Sequence, residues 1–190
     1  SDRIYMYPIS AQPKDKAEPG GPFDRTIEKS NKAIKLHSIK AKPAKKPGWR
    51  NNPKLRAIQE QEEYNPFLKN SWLIMGQAQF YNADFLQASA TFSYIASHYA
   101  KDEEVVAEAR LWQARCYSEM GWFYESEDIL DKMNKNGIPA SVLKQYAAVY
   151  ADYLIKDGQF EDAIPYLKTA IKAEKNRKQR TRMKYLLGQI

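Results

Sequence analysis

Few residues in this sequence are suited to catalysis or metal binding, and their spacing keeps them apart. His37 and His98 are far from each other, and neither belongs to an H-x3-H or H-E-x-x-H pattern that would hold zinc on a helix face. The sequence has no glycine-rich phosphate loop and no G-x-S-x-G elbow. We therefore expect a protein that is not an enzyme and that uses no metal and no cofactor.

The remaining reactive groups have simpler interpretations. Cys116 is the single cysteine, which excludes an internal disulfide framework and a cysteine-built metal site. It lies in a helical pattern two residues after a small residue, so we expect it to be a small buried apolar group. The carboxylates cluster at 102–104 and 125–131, where a connection and an outer helix face would leave them in solvent.

Composition limits the class of protein. The chain has 190 residues, a net charge of +7 and 43% apolar residues, which fits one globular domain or a short repeat array. No apolar run reaches the length of a membrane-spanning helix. The sequence begins at Ser1 and stops within an apolar helical pattern at Ile190, so we expect a piece of a longer protein.

Two basic blocks flank a net-acidic middle. The first is a proline-interrupted strip over 40–50, and the second covers 172–184. Both could serve solubility, or they could bind an anionic partner such as an acidic protein, a lipid headgroup or a nucleic acid. The strip residues that we expect to face such a partner are Lys42, Lys45, Lys46 and Arg50.

The N-terminal third is irregular and the rest is helical. Prolines and glycines deny a regular helix to most of residues 1–24, whose apolar side chains could pack on the remainder. Over 25–63 we predict a helix capped by Asp24 and ending near Ser38, the basic strip, and a short helix over 54–63. We expect Asn65 to cap the next helix, with Pro66 in its first turn.

An internal repeat is the strongest signal. Small residues recur at intervals of 38, 37 and 37 residues, and an aromatic, a second small residue and a large apolar residue follow the first three of them in register. Short turns at 82–84, 120–122 and 157–159 separate the paired helices. Such pairs bury one face internally and the other against a neighbour. The recurring small residues are Gly76, Ala114, Ala151 and Gly188.

These positions resemble the tetratricopeptide repeat (TPR). Its W-x2-L-G…A-x3-F pattern is matched at Trp72, Met75, Gly76, Ala88 and Phe92. The resemblance implies an all-α, right-handed α-solenoid of TPR-like hairpins over 64–190, with repeats at about 69–105, 107–143 and 144–180 and the first helix of a fourth at 181–190. Residues 23–34 fit the second helix of a repeat that lacks its first. The departures are a period of 37–38, Gln79 at an aromatic position, and Pro165, expected to interrupt a helix.

A narrower resemblance concerns residues 31–81. The run 31–40, the Lys/Pro strip, the segment 63–68 and the run 76–81 are similar to the SprE/PorW group of TPR lipoproteins of the Bacteroidota. That group implies a scaffold for gliding motility and type IX secretion at the periplasmic face of the outer membrane. Its lipidated cysteine is absent from this piece, since Cys116 lies within a helix.

Repeat arrays of this type bind partners on the face lined by their first helices. We expect a peptide or helix of a cell-envelope protein there, and no small-molecule substrate. The alternative functions are a generic TPR adaptor that binds peptides and a basic protein that binds nucleic acid. The residues on this face could also be ordinary groove residues, or the N-terminal segment could cover them. Counting from the recurring small residues places Leu111, Gln145 and Ala148 on this face. The predicted contact residues are Asn70, Gln77, Phe80, Tyr81, Arg115, Glu119, Asp152 and Lys156.

Overall fold

All the regular secondary structure in the described part of the chain is helical. A computed structural model describes residues 23–37, 44–60, 65 and 67–190, which form nine α-helices and a short 3-10 turn at Trp49–Asn51. None of these helices is long and apolar enough to cross a membrane. The helices are α1 (Asp24–His37), α2 (Pro53–Glu60), α3 (Leu68–Tyr81), α4 (Phe85–His98), α5 (Glu103–Glu119), α6 (Phe123–Asn136), α7 (Leu143–Lys156), α8 (Phe160–Ala173) and α9 (Arg177–Leu187).

Helices that follow one another in sequence pack together. The pairs α3/α4, α5/α6 and α7/α8 form three hairpins, α4 packs on α5, and α8 packs on α9. The first helices of the hairpins, α3, α5 and α7, also contact one another in that order. The fold is therefore all-α, built of paired helices, and consistent with a helical repeat, as predicted.

The three hairpin turns share one backbone geometry. Ala83, Gly121 and Gly158 have φ values of 63°, 74° and 82°. The residue after each of them donates its N–H to the carbonyl five residues earlier, at 3.0, 2.9 and 2.8 Å. This pattern satisfies the last carbonyls of the first helix and requires a left-handed residue. The predicted turns are confirmed, and their recurrence shows that the hairpins are equivalent.

The contact inside each hairpin also recurs. Gly76 is buried, and a Cβ atom there would lie 2.7 Å from two atoms of the Phe92 ring. The second hairpin has Ala114 and Leu130 at these two positions, and both are fully buried. Ser126 supports this contact by donating its hydroxyl to the Ala114 carbonyl at 3.0 Å. A small residue therefore lets the two helices approach. Where that residue is glycine its partner is the larger phenylalanine, and where it is alanine its partner is leucine.

Helix α1 was predicted to be the second helix of a half repeat, and the structure shows which helix it packs on. It packs on α3, and the Phe23 ring lies 5.5 Å from the Tyr81 ring. Asn82 Nδ2 donates to Asp24 Oδ1 at 2.6 Å. The predicted N-terminal segment lies outside the described residues, apart from its last two. The short polar helix is confirmed over Pro53–Glu60.

Three predictions about the C-terminal part of the chain are wrong. Helix α9 begins at Arg177, four residues before the predicted start, because Asn176 Oδ1 accepts from the N–H groups of Lys178 and Gln179. Gly188 follows this helix and is exposed, so it lies in no helix-pair contact among the described residues. Pro165 does not interrupt α8, which is continuous through it over Phe160–Ala173.

The repeat is three or four residues longer than the about 34 residues of a TPR. These added residues lie only partly in the connections between hairpins. Helix α5 has 17 residues, whereas α3 and α7 have 14 each, so part of the added length extends a helix. Asp102 caps α5 by accepting from the Val105 N–H at 3.2 Å, which sets its early start.

Candidate protein-binding groove

Equivalent residues of neighbouring first helices form two rows. One row is Gln77 on α3, Arg115 on α5 and Asp152 on α7, each one repeat apart. The other row, one helical turn further on, is Tyr81, Glu119 and Lys156. All six were predicted to lie on the partner-binding face, and the structure brings them together along the α3–α5–α7 contacts.

The junction between α3 and α5 is aromatic. Trp112 of α5 lies 5.3 Å from the Phe80 ring and 5.9 Å from the Tyr81 ring. The Arg115 guanidinium lies 3.9 Å from the Trp112 ring centroid and 4.6 Å from that of Phe80. A guanidinium over aromatic faces is stabilised by the negative face of each ring. Gln77 Nε2 adds a long hydrogen bond to Glu108 Oε1, at 3.4 Å.

Phe80 is a correction to the predicted contact set. Its ring has 0% exposed area, because Phe85, Trp112 and Arg115 enclose it. The ring belongs to the core of the first hairpin and offers no surface to a partner. Tyr81, the next residue, is half-buried and remains accessible.

The junction between α5 and α7 is ionic. Lys156 Nζ lies 2.6 Å from Glu119 Oε1 and 2.7 Å from Asp152 Oδ2. The exposed fractions of the side chains are 12% for Lys156, 4% for Glu119 and 6% for Asp152. These three predicted contact residues therefore face one another across α5 and α7 and pair there, which leaves little of their side chains exposed.

Burial and pairing have opposite effects on these groups. Burial disfavours the ammonium of Lys156, but the carboxylates of Asp152 and Glu119 outweigh it and raise the pKa of this lysine. Burial raises the pKa of Glu119, and the nearby Asp152 carboxylate adds to this, although Lys156 opposes it. The ammonium of Lys156 thus forms ion pairs with both buried carboxylates, those of Glu119 and Asp152.

A pocket of about 230 Å³ opens beside these rows. Tyr81 and Arg115 line it, together with Leu111, Gln145 and Ala148, all predicted to lie on this face. Asn70, at the exposed beginning of α3, is not among the lining residues. Sequence reasoning missed the rest of the lining, which comes from α5, α7, the C-terminal end of α8 and α9. The missed lining residues are Trp112, Lys144, Val149, Ala170, Glu174, Gln179 and Met183.

One side of the pocket is held by an ion pair. Lys144 Nζ lies 2.9 Å from Glu174 Oε2, and the other oxygen of Glu174 accepts the Asn176 N–H at 2.8 Å. Burial opposes ionisation of Glu174, but the hydrogen bonds from Asn176 and Lys144 outweigh it and lower its pKa. The pocket therefore combines an apolar floor with fixed polar groups, as side-chain binding sites do.

The described part of the basic strip is exposed. Lys45, Lys46 and Arg50 face solvent, and Lys42 lies outside the described residues. Lys45 Nζ and the Arg50 guanidinium lie 5.6 and 5.5 Å from the Trp49 ring centroid. The strip thus offers cations around one ring, at a distance in sequence from the groove.

The residues that could have carried chemistry have other surroundings. Cys116 is fully buried in the core, and this burial raises the pKa of its thiol, as expected for a structural cysteine. Within the described ranges, no three His, Cys, Asp or Glu residues lie close enough to hold a metal ion. Comparison of the chain with protein-family models, curated proteins and solved structures finds no significant match.

Proposed function

We propose that this chain is a TPR-like α-solenoid that binds a segment of another protein on its first-helix face and catalyses no reaction. The three equivalent turns and the recurring helix contact support the repeat. The observation that carries the binding role is the pocket of about 230 Å³, lined from α3, α5, α7, α8 and α9. A site built from several repeats is a usual binding surface in such arrays.

The lining indicates what the partner segment presents. Leu111, Ala148 and Met183 supply an apolar floor for one aliphatic or aromatic side chain. Gln145 and Gln179 are placed to hydrogen-bond the backbone of an extended or helical segment. We therefore expect a peptide that inserts one apolar residue and keeps its backbone along the two glutamines.

Selection from a displayed random-peptide library tests this proposal. The full chain is expected to enrich peptides that share one apolar residue, and Gln145→Trp should weaken their binding by roughly tenfold or more. Gln145 is exposed, so an indole there blocks the pocket without entering the core.

The matched control places the same indole elsewhere. Lys168→Trp puts it at an exposed position of α8 outside the pocket lining, and binding should not change. Failure to enrich any shared peptide, or equal binding by Gln145→Trp and wild type, would contradict the proposed site. Circular dichroism and thermal melting of both variants confirm that each is folded.

We further propose that the partner belongs to a bacterial cell-envelope assembly. The support is the resemblance of residues 31–81 to the SprE/PorW group, which implies a scaffold of the type IX secretion and gliding machinery. Fractionation of cells that express the full-length gene product tests this. We expect the protein in the outer-membrane fraction, and we expect globomycin-type inhibition of lipoprotein processing to abolish this association. Recovery of the protein in the cytosolic fraction would contradict the location.

Binding of an anionic partner is the second candidate. Arg177, Lys178, Arg180 and Lys184 of α9 are all exposed. A nucleic acid bound there would lose affinity steeply with salt, by close to one log unit per log unit of salt for each phosphate contact. Weak binding that hardly changes with salt would dismiss this candidate and leave the groove.

A further inference from the structure

A second, larger cavity lies away from the groove, between the N-terminal half of α5 and the C-terminal half of α6. Its volume is about 540 Å³, within the range of roughly 300–1,000 Å³ common for ligand sites. Val106, Ala107, Ile129 and Met133 give it apolar walls. None of its lining residues lines the groove pocket.

The cations at this cavity replace aromatic rings of the preceding hairpin. Arg110 and Lys132 line the cavity, and the repeat register makes them equivalent to Trp72 and Tyr94. In the first hairpin those two rings lie 4.6 Å apart, and Tyr94 also stacks on His98 at 5.2 Å. Two aromatic rings therefore contact each other across α3 and α4, and a cavity opens at the equivalent positions of α5 and α6.

Both cations are already held at the edge of the cavity. Lys132 Nζ pairs with Asp128 Oδ2 at 2.7 Å, and Arg110 Nη1 donates to Gln113 Oε1 at 2.8 Å. Asp128 and Glu103 also line the cavity, so its rim carries both signs of charge above apolar walls. A guanidinium or ammonium beside such walls favours the negative face of an aromatic ring over an aliphatic chain. The first hairpin shows that rings fit between helices of this geometry.

We propose that this cavity is a binding site for an aromatic side chain of a partner protein. The ring takes the place that Trp72 and Tyr94 fill in the first hairpin, packs on Ile129 and Met133, and lies under Arg110 and Lys132. The site shares no lining residue with the groove pocket.

Methyl NMR of the full chain tests the proposal with amino-acid amides as probes. Titration with N-acetyl-tryptophanamide should shift the Met133 methyl signal saturably and leave that of Met75, buried in the first hairpin, unchanged. N-acetyl-leucinamide should bind about fivefold more weakly or worse, since it lacks the ring. Equal binding of the two probes, or no saturable shift, would overturn the proposal.

Transplanting the first hairpin's residues provides the decisive variant. Arg110→Trp/Lys132→Tyr should fill the cavity and weaken binding of N-acetyl-tryptophanamide by roughly tenfold or more. Lys135→Tyr, at an exposed position of α6 outside the cavity, should bind like wild type. If the double variant does not fold, Arg110→Phe serves in its place. Undiminished binding by a folded variant would overturn the proposal.

The chain's own aromatic residues are the competing occupant. Tyr5→Ser/Tyr7→Ser in the full chain should leave the Met133 methyl signal unchanged when no probe is present. If the Met133 methyl signal differs between this variant and wild type, the N-terminal segment fills the site. That result would overturn the assignment to a partner.

Discussion

The two junctions between successive first helices use the same positions for opposite chemistry. Between α3 and α5, Tyr81 contacts Trp112, and Arg115 lies over that indole. Between α5 and α7, the equivalents of Tyr81 are Glu119 and Lys156, which form a buried ion pair at 2.6 Å. The first helices therefore pack side by side at both junctions, while the side chains at equivalent positions along the groove differ from one junction to the next.

The contacts that hold the helices together are therefore different from the side chains that would select a partner. The turns and the small-residue contact are alike in all three hairpins. The rows differ, and a buried ion pair is weak evidence for net stability, since its desolvation cost is close to its Coulomb gain. We interpret the charged junction as a feature that fixes the register of α5 and α7 and shapes the pocket beside it.

The largest expected effect is at the charged junction. Lys156→Met should lower the free energy of unfolding by about 3–5 kcal/mol, because it leaves two buried carboxylates without their cation. At the aromatic junction, Tyr81→Met loses ring contacts with Trp112 but should cost less than Lys156→Met, since it leaves no buried charge unpaired. Urea denaturation of both variants measures the difference.

A partial rescue sharpens this test. Glu119→Gln/Lys156→Gln removes opposite charges together and should be more stable than Lys156→Met, since it leaves fewer unpaired charges. Lys132→Met removes an exposed pair at 2.7 Å and should cost under about 1 kcal/mol. Equal losses for the buried and the exposed lysine would contradict the account of the charged junction.

A smaller effect is expected at the small-residue contact inside the second and third hairpins. Ala151→Leu should destabilise the protein by about 1–3 kcal/mol through overpacking, because Ala151 is 1% exposed. Ala114→Leu in the second hairpin should cost a similar amount. Thermal melting measures both, and a neutral result at either position would remove that residue from the helix-pair contact.

The turns should give an effect of about 1 kcal/mol. Gly121→Ala places a side chain at a φ of 74°, where no atom lies within 4 Å, so its cost of about 1–2 kcal/mol comes from the backbone alone. Ala83→Gly, at the equivalent turn, relieves the same strain but loses a buried methyl group, so its net effect should be near zero. Urea denaturation should therefore separate the two turns, and a stabilising Gly121→Ala would contradict their equivalence.

The smallest effect is on the pH dependence of stability. The pKa of Lys156 is raised above its ordinary value of 10.5, so its stabilisation is complete below that pH and is lost as pH rises through the native pKa. Burial also raises the pKa of Tyr153 to about 12, which acts in the same direction. Denaturation at about pH 9 and about pH 11 should show a loss that is shallower in Lys156→Met. An equal loss in both proteins would exclude Lys156 as its source.

Local patterns in the sequence predict the hairpins but not how their surfaces meet. The turn residues and the pairs such as Gly76 and Phe92 are readable because a helix pair demands small and large residues at fixed offsets. The burial of Glu119 with Lys156 depends on the distance between α5 and α7, which no local pattern encodes. The contributions of Glu174 and Gln179 to the groove pocket depend on where α9 begins, which a cap at Asn176 decides.

A double-mutant cycle at Gly76 and Phe92 tests the equivalence of the hairpins most directly. Gly76→Ala alone should destabilise the protein by about 1–3 kcal/mol, because its Cβ would lie 2.7 Å from the Phe92 ring. Adding Phe92→Leu recreates the Ala–Leu pair of the second and third hairpins and should recover at least about 1 kcal/mol relative to additivity. Strictly additive losses would contradict the claim that the three hairpins pack through one common contact.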